Sequence, residues 1–139
     1  MTTPSFYRTV METSGDERRE MAKRTTAAVF HALRDRLTVE EADQAAAQLP
    51  IELKEVWAEG DRPGRRPVKM DREEFCARVK QEAGLASKRE ARWMTLAVFA
   101  ALKEQLSPGE AEDVFAQLPK DLKEMWAEAQ PEAARRRTA

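Results

Sequence analysis

Polar side chains that return at a fixed spacing are the part of this chain able to do chemistry. Gln48, Lys54, Glu55 and Glu59 recur as Gln117, Lys123, Glu124 and Glu128. Glu55 and Glu59 stand one helical turn apart, three residues beyond Glu52. Asp121, Glu124 and Glu128 repeat that stripe. Paired carboxylates can serve as general acid and base. They also form ordinary solvated helix faces, which a duplication copies unchanged. A third reading is a pair of related acidic surfaces that dock a protein partner. Core packing explains recurring Leu and Pro but not recurring charge, so these eight residues form the candidate partner surface. Lys54 and Lys123 lie three residues before Trp57 and Trp126, so each lysine stem is expected to cover an indole. Gln48 and Gln117 precede a proline break, where their amides could bond carbonyls freed at the preceding helix end.

The other reactive side chains are few. His31 is two residues from the apolar position Val29, about 200° round a helix, and is expected to face solvent. Cys76 follows Phe75 and is expected to be a small packed thiol. A lone cysteine excludes an intrachain disulfide and a cysteine-based zinc site. One histidine supplies no His-rich metal site and no supported nucleophile–base pair. None of the five glycines has phosphate-loop or dinucleotide spacing. The expectation is therefore no catalytic, cofactor or metal residue and no enzyme activity. Trp93 takes the place of Arg24, a polar-to-aromatic change suited to covering the linker or to an exposed contact patch.

A basic cluster offers a different chemistry. Arg62, Arg65, Arg66 and Lys69 fall in GDRPGRRPVKM, and Arg135–Arg137 end the tail. Such charges can bind a nucleic-acid backbone weakly and in a salt-sensitive way. No aromatic platform is interleaved with them, and no basic recognition helix follows a turn. Nucleic-acid association is the first alternative, and an enzyme or ligand cleft between the repeats is the second.

The elements that carry these residues come in two copies. Residues 22–59 match 91–128 without a gap at an offset of 69, with 20 identities in 38 positions. An internal period sets the architecture before any single residue does. Each copy reads as four helices. A short first helix stops at Gly15 or Gly84 in a left-handed cap. Long helices follow over about 17–37 and 88–106, with apolar or small stripes at 22, 26, 29, 33, 37 and at 91, 95, 98, 102, 106. Asp16 is the expected cap of the first long helix, and Ser87 with Glu90 forms a capping box for the second. Thr38 with Glu41, and Ser107 with Glu110, are capping boxes that open the third helices. Pro50 and Pro119 are expected at the first position of the fourth helices, which run to about Gly60 and Gln130.

These readings predict an all-α fold: a tandem duplication of a four-helix unit, packed as a pseudo-twofold helical bundle with a shared core. Repeat 1 covers about 4–60, a Pro/Gly linker 61–70, repeat 2 about 71–130, and a basic, frayed tail 131–139. A chain of 139 residues can bury a real core, whereas one repeat alone would be marginal. Charge follows the same division: −3 for residues 1–59, +3 for 60–70, −3 for 71–130 and +2 for 131–139. With 42% hydrophobic and 35% charged residues, the balance is that of a folded helical protein rather than a disordered one. No apolar run reaches the roughly 20 residues of a membrane span, and the first residues do not read as a secretory leader. A cytoplasmic protein, monomer or homodimer, is expected.

The repeated pattern carries a resemblance. Gly15, Ala22, Thr26, Ala28, Val29, Leu33, Leu37, Glu41, Ala42, Gln48, Leu49, Pro50 and Leu53, with their partners from Gly84 to Leu122, resemble the bacterial domain of unknown function 2267 family. The resemblance covers both repeats and leaves out linker and tail. It implies an all-helical fold with two related halves and transfers no activity. The paired tryptophans depart from the aliphatic residue expected there.

Overall fold

A computed structural model describes residues 1–130; the basic tail 131–139 lies outside the described residues. Among the described residues there are eight helices and no strand: α1 (Thr3–Ser14), α2 (Arg19–Arg36), α3 (Val39–Ala46), α4 (Ile51–Ala58), α5 (Arg72–Ala83), α6 (Lys88–Gln105), α7 (Pro108–Ala116) and α8 (Lys120–Glu128). No helix among them is long and apolar enough to cross a membrane.

Local chemistry sets the helix ends. Thr2 with Ser5, and Asp71 with Glu74, form reciprocal capping boxes for α1 and α5. Both helices stop at a glycine in the left-handed region, Gly15 at φ 78° and Gly84 at φ 69°. Asp16 does not cap α2. The N-cap is Arg18, and Asp16 instead accepts its backbone N–H at 3.0 Å and pairs with its guanidinium at 2.8 Å. Pro50 and Pro119 are extended N-caps, with ψ of 155° and 163°, so α4 and α8 start one residue later than expected.

The buried apolar residues of both halves form one cluster. α1 lies against α6 and α5 against α2, so the first helix of each half packs on the long helix of the other. α2 and α6 also meet each other; α4 and α8 rest on α2 and α6, and α3 rests on α7. Aromatic chains run through the two halves at matched positions. Phe30 stands 5.6 Å from Phe6 and 5.3 Å from Trp57; Phe99 stands 5.7 Å from Phe75 and 5.0 Å from Trp126. All four phenylalanines are fully buried, so truncating any one to alanine would cost about 3–5 kcal/mol.

Cations on the long helices close the ends of α4 and α8. Arg34, 3% exposed, donates through Nη1 to the carbonyls of Trp57 (2.8 Å) and Glu59 (2.6 Å). Lys103, at the same register of α6, donates to Trp126 (2.8 Å) and Ala129 (2.9 Å). Each satisfies carbonyls that a helix end leaves without partners. Burial pulls the Lys103 ammonium below its usual range. Burial works to raise the neighbouring Asp35 carboxyl, but hydrogen bonds from Arg78 and Arg34 outweigh it and hold the group low.

The 61–70 segment has no helix, as its composition predicts, yet it is anchored. Arg65 donates to the carbonyls of Leu37 (2.9 Å) and Arg34 (2.8 Å), closing the end of α2. Val68 N–H reaches the Asp35 carbonyl at 2.7 Å, and Met70 is buried.

Candidate functional site

The recurring glutamines mark the contact between α3 and α7. The backbone N–H of Thr38 donates to Gln117 Oε1 at 2.9 Å, and Gln117 Nε2 donates to Thr38 Oγ1 at 3.2 Å. The same exchange joins Ser107 N–H to Gln48 Oε1 at 2.7 Å and Gln48 Nε2 to Ser107 Oγ at 3.2 Å. Each glutamine therefore serves the N-cap of the opposite helix, not the carbonyls of its own helix end as the sequence suggested. The start of α3 meets the end of α7 and the reverse, so the two helices run antiparallel.

This clasp changes what Glu41 and Glu110 do. In a capping box the third-position glutamate accepts the N-cap N–H. Here Gln117 and Gln48 hold those two donors, and only the half-box remains: Thr38 Oγ1 and Ser107 Oγ each accept at 3.2 Å from Glu41 and Glu110 N–H. The displaced carboxyls turn into the α3–α7 contact. Glu41 is 9% exposed and Glu110 7%, and Oε2 of each is buried with no hydrogen-bond donor from outside the pair. Donor oxygens of Glu41, Glu110 and Asp113 lie within 4.8 Å of one another. Burial, the hydrogen bond with Glu41, and the charges of Glu41 and Asp113 push the Glu110 carboxyl up to about 8. A pair of this kind must take up a proton or a cation, because two like charges in a dry contact repel.

The other members of the candidate surface separate from the glutamines. Lys54, Glu55, Glu59, Glu124 and Glu128 are exposed on α4 and α8 or at their ends. Glu128 pairs with Arg92 of α6 at 2.7 Å, and Glu52 accepts from Thr3 Oγ1 at 2.6 Å. Lys123 lies over the ring of Phe115, 5.4 Å from its centroid. The indoles of Trp57 and Trp126 are instead covered by the core, at 3% exposure. Of the basic candidates, Arg62, Arg66 and Lys69 are exposed, while the Arg65 side chain is 6% exposed and engaged at the end of α2.

His31 is buried, which corrects the solvent-facing expectation. Its Nδ1 lies 2.6 Å from Glu82 Oε2 on α5, and its Nε2 lies 2.7 Å from the Val56 carbonyl on α4. A long helix with one apolar stripe exposes its opposite face; α2 is instead enclosed from several directions, by α4 and α5 among others. Cys76 is buried as expected, and burial pushes its thiol up, with Arg92 opposing in part.

Trp93 remains half-exposed, at 48%, with its indole N–H donating to the Ser14 carbonyl at the end of α1, 2.8 Å away. It borders a cleft of about 190 Å³ with Thr13, Leu96, Ala97, Glu128, Ala129 and Gln130. That volume falls below the roughly 300–1,000 Å³ usual for small-molecule sites, but open grooves of about 550 and 450 Å³ also reach Trp93.

Sequence reasoning named Glu41 and Glu110 as caps and as residues of the family pattern, not as a site, and did not single out Arg34 and Lys103. The available signal was that each pair keeps its charge at positions 69 residues apart. A family model described as "Uncharacterized conserved protein (DUF2267)" matches residues 3–125, most of the chain. No curated protein matches the chain.

Proposed function

This chain belongs to the uncharacterized conserved DUF2267 family, and from that premise we propose that it is a non-catalytic interaction module. It is built from a duplicated four-helix unit with pseudo-twofold symmetry, and its partner is a protein presenting a basic surface. The observation that carries this reading is Trp93, half-exposed beside Glu128 at the junction of α1, α6 and the end of α8. Solvent-exposed tryptophan is costly, and tryptophan supplies much of the binding energy at interfaces. The exposed glutamates Glu55, Glu59, Glu124 and Glu128 add a negative field that favours a basic partner. Gln48 and Gln117 serve the fold rather than the partner. The duplication reading is supported by the matched glutamine clasps, aromatic chains and helix-end cations. The non-catalytic reading is supported by the single histidine lying between Glu82 and the Val56 carbonyl, and by the single cysteine being buried.

The test compares capture by the wild type, Trp93→Ala, and a variant with Glu55, Glu59, Glu124 and Glu128 each changed to Lys. Circular dichroism checks that all three keep their helicity. A partner held by the wild type and lost by both variants supports the module. The same proteins held equally by all three would sink it.

A further inference from the structure

We propose that Glu41, Glu110 and Asp113 bind a hard divalent cation, of the magnesium, manganese or calcium class, that ties α3 to α7. Three donor oxygens from two helices lie within 4.8 Å of one another. Ligands on opposite sides of one ion stand twice the metal–oxygen distance apart, about 4–5 Å for bonds of about 2.0–2.6 Å. All-carboxylate donors select oxygen-seeking ions over thiophilic ones.

A cluster of acids alone would not establish a site. The independent observation is that Glu41 and Glu110 are each more than nine-tenths buried, and Oε2 of each is buried with no hydrogen-bond donor from outside the pair. The glutamine clasp explains why. Gln117 and Gln48 have taken the N–H groups that would otherwise receive these carboxylates. The other charges acting on Glu110 belong to Glu41 and Asp113, and both are negative. One shared proton would neutralise one of three charges. A divalent cation neutralises two and uses all three donors. Asp113 is exposed and leaves one side of the ion open to water, as magnesium and calcium require.

The experiment uses the full chain stripped with chelator and then dialysed free of it. Thermal unfolding is followed against MgCl2, MnCl2 and CaCl2 separately, with NaCl at matched ionic strength as control. The expected result is a saturable rise in Tm of roughly 5–10 °C with at least one of the three ions. That rise should vanish in Glu41→Gln and Glu110→Gln, and Asp113→Asn should weaken apparent affinity by about tenfold. Electron paramagnetic resonance of Mn2+ added to the wild type gives a readout that needs no variant, since loss of the free-ion signal at one equivalent reports binding. No Tm rise above the salt control with any ion, or an equal rise in Glu110→Gln, would overturn the proposal.

Discussion

Glu110→Gln should remove the pH dependence of stability that the Glu110 carboxyl supplies when metal ions are held away by chelator. In the fold the Glu110 carboxyl sits at about 8, against an ordinary value of 4.5. Between those values the native state keeps a proton that the unfolded chain has released. Stability is therefore full below about pH 4.5 and is lost as pH rises through about 8. At 1.36 kcal/mol per unit, the shift sets a ceiling of about 5 kcal/mol for an isolated group. Glu110 is coupled to Glu41 by a hydrogen bond and stands beside Asp113, so the loss belongs to the set, and about 2–4 kcal/mol is the working expectation. Glutamine keeps the shape and a donor while removing one charge. Urea unfolding at pH 5 should place the two proteins within about 1 kcal/mol. At pH 8.5 the variant should be the more stable by about 2–4 kcal/mol. Titrating groups outside the Glu41, Glu110 and Asp113 set are common to both proteins and cancel in the difference. A difference that stays constant from pH 5 to 8.5 would refute the buried-pair reasoning.

Gln117→Ala removes two hydrogen bonds across the α3–α7 contact and should cost about 1–2 kcal/mol in urea unfolding; a loss below about 0.3 kcal/mol would mean that the clasp contributes nothing. Arg34→Ala leaves the Trp57 and Glu59 carbonyls without their donor and should cost about 3 kcal/mol. Arg34→Lys should cost about 1 kcal/mol or less, since Lys103 makes the equivalent contacts in α6, and equal losses for the two variants would refute the role. Cys76 should react with a thiol reagent only when the protein unfolds, because burial both hides the thiol and disfavours the thiolate. Rapid labelling of the native protein would contradict the packing around α5.

The parts of the fold that were legible in the sequence rest on short-range rules. Gly15 and Gly84 announced left-handed caps, Thr38 and Ser107 announced helix starts, and the stripe from Val29 to Leu37 announced a buried face. The functional candidates were less legible because their contacts are tertiary. The pattern Thr-x-x-Glu reads the same whether the glutamate bends back to its own N-cap or is displaced by a glutamine 79 positions away. His31 shows the same limit from another side. Periodicity measures one buried face, and α2 is enclosed by helices from both halves. The candidate surface mixed two kinds of residue for a related reason. Gln48 and Gln117 recur because they hold α3 and α7 together, while Glu55 and Glu124 recur on exposed faces where the fold makes no demand.

The exchange of first helices, α1 onto α6 and α5 onto α2, has a consequence for synthesis on the ribosome. α6 begins at Lys88, just over half the chain length after α1 ends at Ser14. At about 5–20 residues per second, the apolar side of α1 waits roughly 4–15 seconds for its packing partner to be made. During that interval Phe6 can already meet Phe30 of α2, but the side of α1 that packs on α6 stays uncovered in the nascent first half. The anchored 61–70 segment shortens the search by holding the start of α5 near the end of α2 as the second half emerges.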